Sequence, residues 1–449
     1  MKHVRTNIHY DHVLLYGLGV TGRSILNTLP LLGTRVSVIN DGPIDLEDLL
    51  DPEIDRGLID LVSEEQAIPW SSIDVVLKAP VIPLDKPLLQ EARRRGLGVY
   101  SDLELLYLLV GGERLIAITG SNGKTTTTSM VAALLNGAGR KAIACGNIGY
   151  PVFDAFREAT DDTWLVCEAS SFQLASVETF APHIAAILNI TPDHLDWHGS
   201  FEAYADCKAR VGSQQKKEDV LFLNPTDSIS QTFLQEGRFT GRTLPIDRMG
   251  AMADQIRKPG FWTLIGPHNV DNALFAAGIC QEAGLNPVEI LEGLSHFHAI
   301  EHRMEWVAEV DGVTYINDSK ATNVDSAVRA IRSLEAPIIL IAGGFDKKVP
   351  FDDLYEAFRE RGKAMLLLGQ TKDQLRQGME QAGMGERVHL VDTLKEAVAL
   401  GARLAERGDV VMLSPASASW GMYHDFEERG REFKDLVMAL KETKSTDKA

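Results

Sequence analysis

The chain is poor in cysteine, and the few thiols it has form no framework. Cys145, Cys167, Cys207 and Cys280 are the only cysteines in 449 residues, irregularly spaced and without a C-x-x-C pair. They read as small buried thiols of a protein kept in a reducing compartment. There is no run of about 18 apolar residues, so no transmembrane helix is expected. Residues 1–11 are polar and lack the apolar core of a signal peptide, which points to a cytoplasmic protein. Basic charge is also in deficit: 45 Lys and Arg stand against 63 Asp and Glu, a formal net charge of −18. That balance excludes a general nucleic-acid binder, which needs a basic surface to displace counterions, and it argues against an anionic membrane surface. Anions can still bind such a chain at local basic spots and clusters of backbone N–H groups. Low-complexity linkers are absent, and only the polar tail from Glu442 is expected to fray.

What is present is a repeated rhythm of apolar runs, glycine turns and helical stretches. Hydrophobic residues make up 45% and charged residues 24% of the chain, ordinary values for a globular protein. A length of 449 residues suggests two to four domains. Apolar runs alternating with helical stretches predict an α/β fold, with largely parallel sheets flanked by helices. Three strand–glycine–helix starts divide the sequence into expected domains at 1–101, 102–299 and 300–449. The first has runs at 13–16, 36–39 and 75–77. The second has runs at 115–119, 164–167 and 184–190, then a helical segment near 201–211. The third has runs at 313–316, 338–341, 365–368 and 410–413. Polar residues collect just after each run, where open α/β sheets bind their ligands.

The strongest local signal is Gly120-Ser121-Asn122-Gly123-Lys124-Thr125-Thr126, between an apolar strand and a helix-compatible run. Glycines let backbone N–H groups turn toward a polyphosphate, and the helix N-terminus adds partial positive charge. Lys124 suits the β- and γ-phosphates and the Thr125 hydroxyl suits Mg²⁺. The general phosphate-loop pattern has four residues between its first glycine and Gly-Lys; this chain has two. Glu168, at the end of the 164–167 run, is a carboxylate suited to Mg²⁺. His194 follows the next run; a lone histidine there is more often structural, but beside a phosphate loop it becomes a candidate metal ligand. Lys208, on chemistry alone, reads as a solvated or ion-paired lysine. Gly17-Leu18-Gly19-Val20-Thr21-Gly22, followed by Asp41, fits a dinucleotide fingerprint. NAD, a nucleotide diphosphate sugar or simple strand–helix packing would each satisfy it. In the third region, 317–323, 343–347 and 301–305 are polar loops after or before strands, and together they read as a binding site. His296 and His298 read as structural.

These motifs in this order resemble the Mur ligases of bacterial cell-wall synthesis, over nearly the whole chain. The resemblance rests on the GSNGKTT run at Gly120, Gly146-Asn147-Ile148-Gly149, the run from Glu168 to Leu174 (EASSFQL), that from Asn189 to Asp196 (NITPDHLD), Lys208, and His268-Asn269 with Asn272. Asn317 to Asn323 (NDSKATN), Ser414 to Ser419 and Phe426 to Gly430 point to the D-glutamate-adding branch.

The resemblance implies an ATP-dependent acid–amino-acid ligase with Rossmann-like outer domains and a phosphate-loop ATPase centre. It implies ATP and two Mg²⁺ sites as cofactors, with Gly120 to Thr126, Asn269, Asn272, Arg303 and Asp318 at the nucleotide. Thr125, Glu168, His194 and a carbamylated Lys208 would hold metal, and Lys320 would lie close to the phosphates. Gly17, Val20, Thr21, Asn147 and Ser170 would contact a UDP-N-acetylmuramoyl-L-alanine substrate. Thr322, Lys347, Ser419 and Phe426 would form the D-glutamate pocket. Neither nucleic acid nor membrane insertion is implied, and a monomer is expected. Since residues of separate domains must meet, ligand-driven closure is expected too. Two stretches depart from the family pattern. Asn40 stands where an acid is common, with Asp41 adjacent, and Lys78-Ala79-Pro80-Val81 replaces an expected Ser-Pro-Gly. Both fall where the uridine nucleotide should sit. The competing readings are a ligase adding glutamate to a folate or polyglutamate acceptor, and a regulatory module that binds NAD at Gly17.

Overall fold

A computed structural model describes residues 9–42, 49–62, 65–258, 260–261, 268–297, 302–346 and 350–446. Lys347, His298 and the expected 299/300 boundary lie outside these residues. Three sheets form, and their strands are the apolar runs of the sequence together with shorter strands between them. The first is wholly parallel, in the spatial order Ile59–Leu61, Arg35–Ile39, His12–Tyr16, Val75–Lys78, Gly98–Tyr100. The second is also parallel: Arg242–Pro245, Val220–Leu223, Ile184–Ile187, Leu115–Thr119, Trp164–Glu168, Ala142–Gly146. The third runs Glu305–Val310, Val313–Asn317, Val410–Leu413, Ile338–Ala342, Gly362–Leu367, Val388–Leu390, and only its first strand is antiparallel to its neighbour. Strands covered on both faces read as continuous apolar runs rather than alternating ones, and this is why the central strands were visible in the sequence.

The described chain forms two compact units, one built from the described residues of 1–261 and 268–297 and the other from those of 298–449. The first unit carries both the first and second sheets, and a shared core explains why. Val13, Leu15, Val75 and Leu77 of the first sheet belong to one buried cluster with Leu115 and Ala117 of the second and with Phe153 and Phe156 of the helix Val152–Glu158. The helix Asp102–Val110 joins them, burying Leu103, Leu105, Leu106 and Leu109 in the same cluster. Its Glu104 carboxylate, also buried, accepts the backbone N–H groups of Glu178, Thr179 and Phe180 at 2.9, 2.8 and 3.0 Å. A buried carboxylate that gathers three amides satisfies its own charge and fixes the loop supplying them.

The run expected over 184–190 yields a strand only over Ile184–Ile187. Beyond it the chain leaves the ladder to serve the glycine loop. Ser121 N donates to Asn189 O at 2.9 Å, and Asn122 N to Asn189 Oδ1 at 2.9 Å. Among the described residues no helix is long and apolar enough to cross a membrane.

Because the core is continuous, Phe156→Ala should cost about 3–5 kcal/mol and weaken both sheets together. Native-state hydrogen exchange should show the strands Val75–Lys78 and Leu115–Thr119 losing protection by the same increment. Loss confined to one of them would mean two separate cores.

Candidate active site

The glycine loop links the strand Leu115–Thr119 to the helix Lys124–Gly137. Gly123 caps that helix at φ 85°, a left-handed conformation that favours glycine. A Cβ on Gly123 would also overlap the amide oxygen of buried Asn272, so that asparagine closes directly onto the loop. Asn272 Nδ2 donates to Asn269 Oδ1 at 3.0 Å, which joins two of the expected nucleotide contacts. Ser121 Oγ donates to Thr191 O at 2.9 Å, accepts Thr191 N at 3.0 Å and lies 2.9 Å from the Tyr204 hydroxyl.

Two lysines converge on one carbonyl. Lys124 Nζ donates to Gly120 O at 2.8 Å and to Ser121 O at 2.9 Å. Lys208 Nζ, in the helix Phe201–Ser213, donates to the same Gly120 O at 2.8 Å. Lys208 is buried, and its ammonium lies 4.6 Å from the centre of the Tyr204 ring. Burial, then the nearby charge of Lys124, holds its pKa well below the usual lysine range. A neutral amine is therefore accessible at Lys208 in a way it is not for a surface lysine.

Glu168 ends the neighbouring strand Trp164–Glu168. Its Oε1 accepts Asn147 Nδ2 at 2.9 Å, and its backbone oxygen accepts Asn147 N at 3.0 Å. The other carboxylate oxygen, Oε2, is buried with no hydrogen-bond partner among the described residues. An orphaned anionic oxygen is costly unless a partner completes it; among the described residues no three His, Cys, Asp or Glu side chains cluster around it as a ready-made metal site. Ser170 begins the next turn in a capping box with Gln173, and Gln173 Nε2 grips both oxygens of buried Asp102 at 3.0 and 2.9 Å. His194 is more exposed. Its hydrogen-bonding and ring partners are Asp193 and Phe172 rather than Glu168 or Lys208. Thr125 and Thr126 lie half-buried in the first turn of the helix Lys124–Gly137. Gly17, Val20 and Thr21 follow the first strand, where Leu18 N donates to Asn40 Oδ1 at 3.1 Å and the Tyr16 hydroxyl to Asp41 Oδ1 at 2.9 Å.

The second unit gathers four sequence-distant loops. Asp318 is buried, accepting Ser414 Oγ at 2.7 Å and Met304 N at 3.2 Å. Burial pushes its pKa up to about 7. Lys320 lies 5.6 Å from the Phe426 ring centre, and Thr322 N donates to Lys320 O at 2.8 Å. Buried Arg429 donates to Ser319 Oγ and Ser319 O, both at 2.9 Å, and to Ser417 O at 3.3 Å. Ser419 is buried, its carbonyl taken by Tyr423 N at 3.1 Å. Arg303 is exposed. Asn317 Nδ2 lies 2.9 Å from His302 Nδ1 and donates to Glu305 Oε2 at 3.0 Å. Five described non-glycine residues have left-handed φ, and four of them, His194, His302, Met304 and Ala416, lie in these two sets of loops. Such backbone strain tends to collect at functional sites.

Tyr204, Asp102, His302, Ser414 and Arg429 are structural partners to which the sequence reading gave no role. Tyr204 precedes Lys208 by four residues on one helix, a spacing that puts both on one face and that could have flagged it.

Residues 118–258 match the Mur ligase middle domain, and residues 302–417 match the Mur ligase glutamate ligase domain. A UDP-N-acetylmuramoylalanine–D-glutamate ligase of Caldanaerobacter subterraneus is 38% identical over 96% of this chain and 98% of its own length. Its counterpart of the same description in Clostridioides difficile is 37% identical, over 96% of this chain and 98% of its own length. The chain belongs to the Mur ligase family.

The middle-domain match of this Mur ligase begins inside the strand that feeds the glycine loop, and the second match begins at His302. Solved structures of low identity share the fold. A UDP-N-acetylmuramoylalanyl-D-glutamyl-2,6-diaminopimelate–D-alanyl-D-alanyl ligase of Acinetobacter baumannii has a TM-score of 0.54 at 16% identity, covering 95% of this chain and 90% of that one. A folylpolyglutamate synthase of Mycobacterium tuberculosis, complexed with ADP and AMPPCP, has a TM-score of 0.55 at 16% identity, covering 74% and 94%.

Asp318 gives this Mur ligase a pH signature. Its carboxyl holds a proton in the fold up to about pH 7, whereas an ordinary carboxyl titrates near 3.8. The folded chain therefore binds the extra proton, and the stability this group contributes is lost as pH rises from about 4 through about 7. Asp318→Asn removes that loss. The difference in thermal midpoint, variant minus wild type, should be more positive at pH 8 than at pH 4.5. An equal difference at both would place Asp318 in contact with water.

Proposed function

We propose that this Mur ligase adds D-glutamate to UDP-N-acetylmuramoyl-L-alanine, driven by ATP, as a monomeric cytoplasmic enzyme of peptidoglycan precursor synthesis. The observation that carries the reading is the convergence of Lys124 and buried Lys208 on the Gly120 carbonyl, together with the unpartnered Glu168 Oε2. The identity with ligases named for D-glutamate supports the choice of amino acid.

The acceptor's carboxylate oxygen attacks the γ-phosphorus of ATP. The bond to the β-phosphate oxygen breaks, and ADP leaves. The amine of D-glutamate then attacks the acyl carbon, loses a proton, and the tetrahedral intermediate expels phosphate to leave the peptide bond. Such chemistry asks the protein mainly for positioning and charge neutralisation. Lys124 leaves its two carbonyls for the phosphates, while the N–H groups of 120–126 cradle them. Asn269, Asn272, Arg303 and Asp318 hold the nucleotide, and Lys320 adds positive charge. Thr125, Glu168, His194 and a carbamylated Lys208 would hold Mg²⁺ in two sites, where it supplies charge neutralisation at the transferring phosphoryl group. The lowered pKa of Lys208 supports the carbamate that the resemblance implies: the ammonium loses one proton, and the neutral amine adds to CO₂ and loses a second, so that a buried cation becomes an anion. Gly17, Val20, Thr21, Asn147 and Ser170 serve the muramoyl nucleotide. Thr322, Lys347, Ser419 and Phe426 serve D-glutamate.

The deciding assay supplies UDP-N-acetylmuramoyl-L-alanine with a panel of amino acids and measures ADP release. D-glutamate alone should support it; release with a folate acceptor instead would move the chain to another branch. Lys124→Ala should lower D-glutamate-dependent ADP formation by at least roughly 10²–10³, and near-normal release would remove the phosphate-loop role. Lys208→Ala should be inactive and partly restored by a short carboxylic acid. A fully active Lys208→Ala enzyme would return this lysine to a structural role.

A further inference from the structure

The loop after the strand Val75–Lys78 replaces the family's Ser-Pro-Gly, and nothing in the ligation chemistry above uses it. Its three successive carbonyls are all taken by side-chain donors. Lys78 is fully buried, and its ammonium donates to Pro80 O at 2.8 Å and Ala79 O at 3.3 Å. Among the described residues no carboxylate lies within ion-pair distance of it. The next carbonyl, of exposed Val81, accepts the indole N–H of Trp197 at 3.2 Å. Trp197 belongs to the short helix Leu195–His198, which His194 caps. Its ring packs on Phe172 at 5.1 Å and on His198 at 4.6 Å, and Phe172 packs on His194 at 4.8 Å. At its other side the loop abuts the Gly17 turn, so closely that a Cβ on Gly17 would overlap Ala79 Cβ and Ile82 Cδ1.

We propose that Lys78 and Trp197 are positioning residues for the nucleotide-sugar substrate, fixing loop 79–81 between the Gly17 turn and His194. The inference rests on the functional reading above and adds to it the residues that set the substrate's register. Ala79 O also accepts Ile82 N at 3.1 Å, but without the two side chains the carbonyls of Pro80 and Val81 would be left bare in succession and would repel a diphosphate. Donors on all three reduce that repulsion and hold the loop in one conformation before the ligand arrives, which lowers the ordering cost of binding. Trp197 reaches the loop from the helix that His194 caps, through the indole N–H alone. Val81 enters through its carbonyl, so the family's glycine is not required there.

The test is Trp197→Phe, which keeps the ring and removes the N–H donor. Loss of one hydrogen bond should raise KM for UDP-N-acetylmuramoyl-L-alanine by about three- to ten-fold. KM for ATP and for D-glutamate should stay unchanged, with kcat within about two-fold. The tryptophan emission that the variant lacks, obtained by difference from wild type, should change when the muramoyl nucleotide binds and not when ATP binds. Lys78→Met should shift the same KM in the same direction; if it does not fold, the Trp197 result stands alone. A Trp197→Phe enzyme with wild-type KM, or one whose KM for ATP rises equally, overturns the inference and leaves the ligase reading intact. A wild-type chain that releases no ADP with this nucleotide and D-glutamate overturns both.

Discussion

The constraint around which the glycine loop of this Mur ligase is arranged is the desolvation of Lys208. An ammonium wrapped by protein, with another lysine sharing its acceptor, is an expensive thing to keep charged. The fold could have removed the cost with an apolar side chain. Instead it sets the ammonium on the Gly120 carbonyl and over the Tyr204 ring, while Glu168 Oε2 is buried elsewhere without a hydrogen-bond partner among the described residues. The two unfavourable features are complementary: an amine that prefers neutrality and an anion that prefers a cation. The polar anchors from Tyr204 through Ser121 to Thr191 hold the loop between them.

How much of this could be read from residues alone divides along physical lines. Strands buried on both faces announce themselves as apolar runs, so 13–16, 115–119, 338–341 and 410–413 were plain. Short edge strands such as Ala142–Gly146 and Val388–Leu390 bury less and carry no such signature. The run at 184–190 misled in its last residues because Asn189 is spent on the glycine loop, and a long-range hydrogen bond has no local pattern. The Gly120 loop and Glu168 stood out in sequence because both follow apolar strands, and the structure sets those strands side by side.

Lys208 was not legible from its own surroundings in sequence: a lysine in a helix means nothing until its burial is known, and only the family resemblance singled it out. Arg429 and His302 lay inside recognised motifs, but their partners, Ser319 and Asn317, come from other loops. The structure supplies those pairings by folding sequence-distant strand ends together. Lys78 and Trp197 are the opposite case: the sequence marked the first as a departure, and only the hydrogen bonds around 79–81 say what replaces the missing glycine.

The core shared by the first two sheets turns them into a ruler. A molecule held at one end by the Gly17 turn and at the other by the corner around Glu168 meets two landmarks whose separation is set by packed Leu, Val and Phe side chains, including the leucines of the helix Asp102–Val110. On the proposed reading, an acceptor one residue longer or shorter would bring its carboxylate to a different place, whatever its affinity for the turn. Selection by length would then come from hydrophobic packing, away from the residues proposed to touch the bond being made.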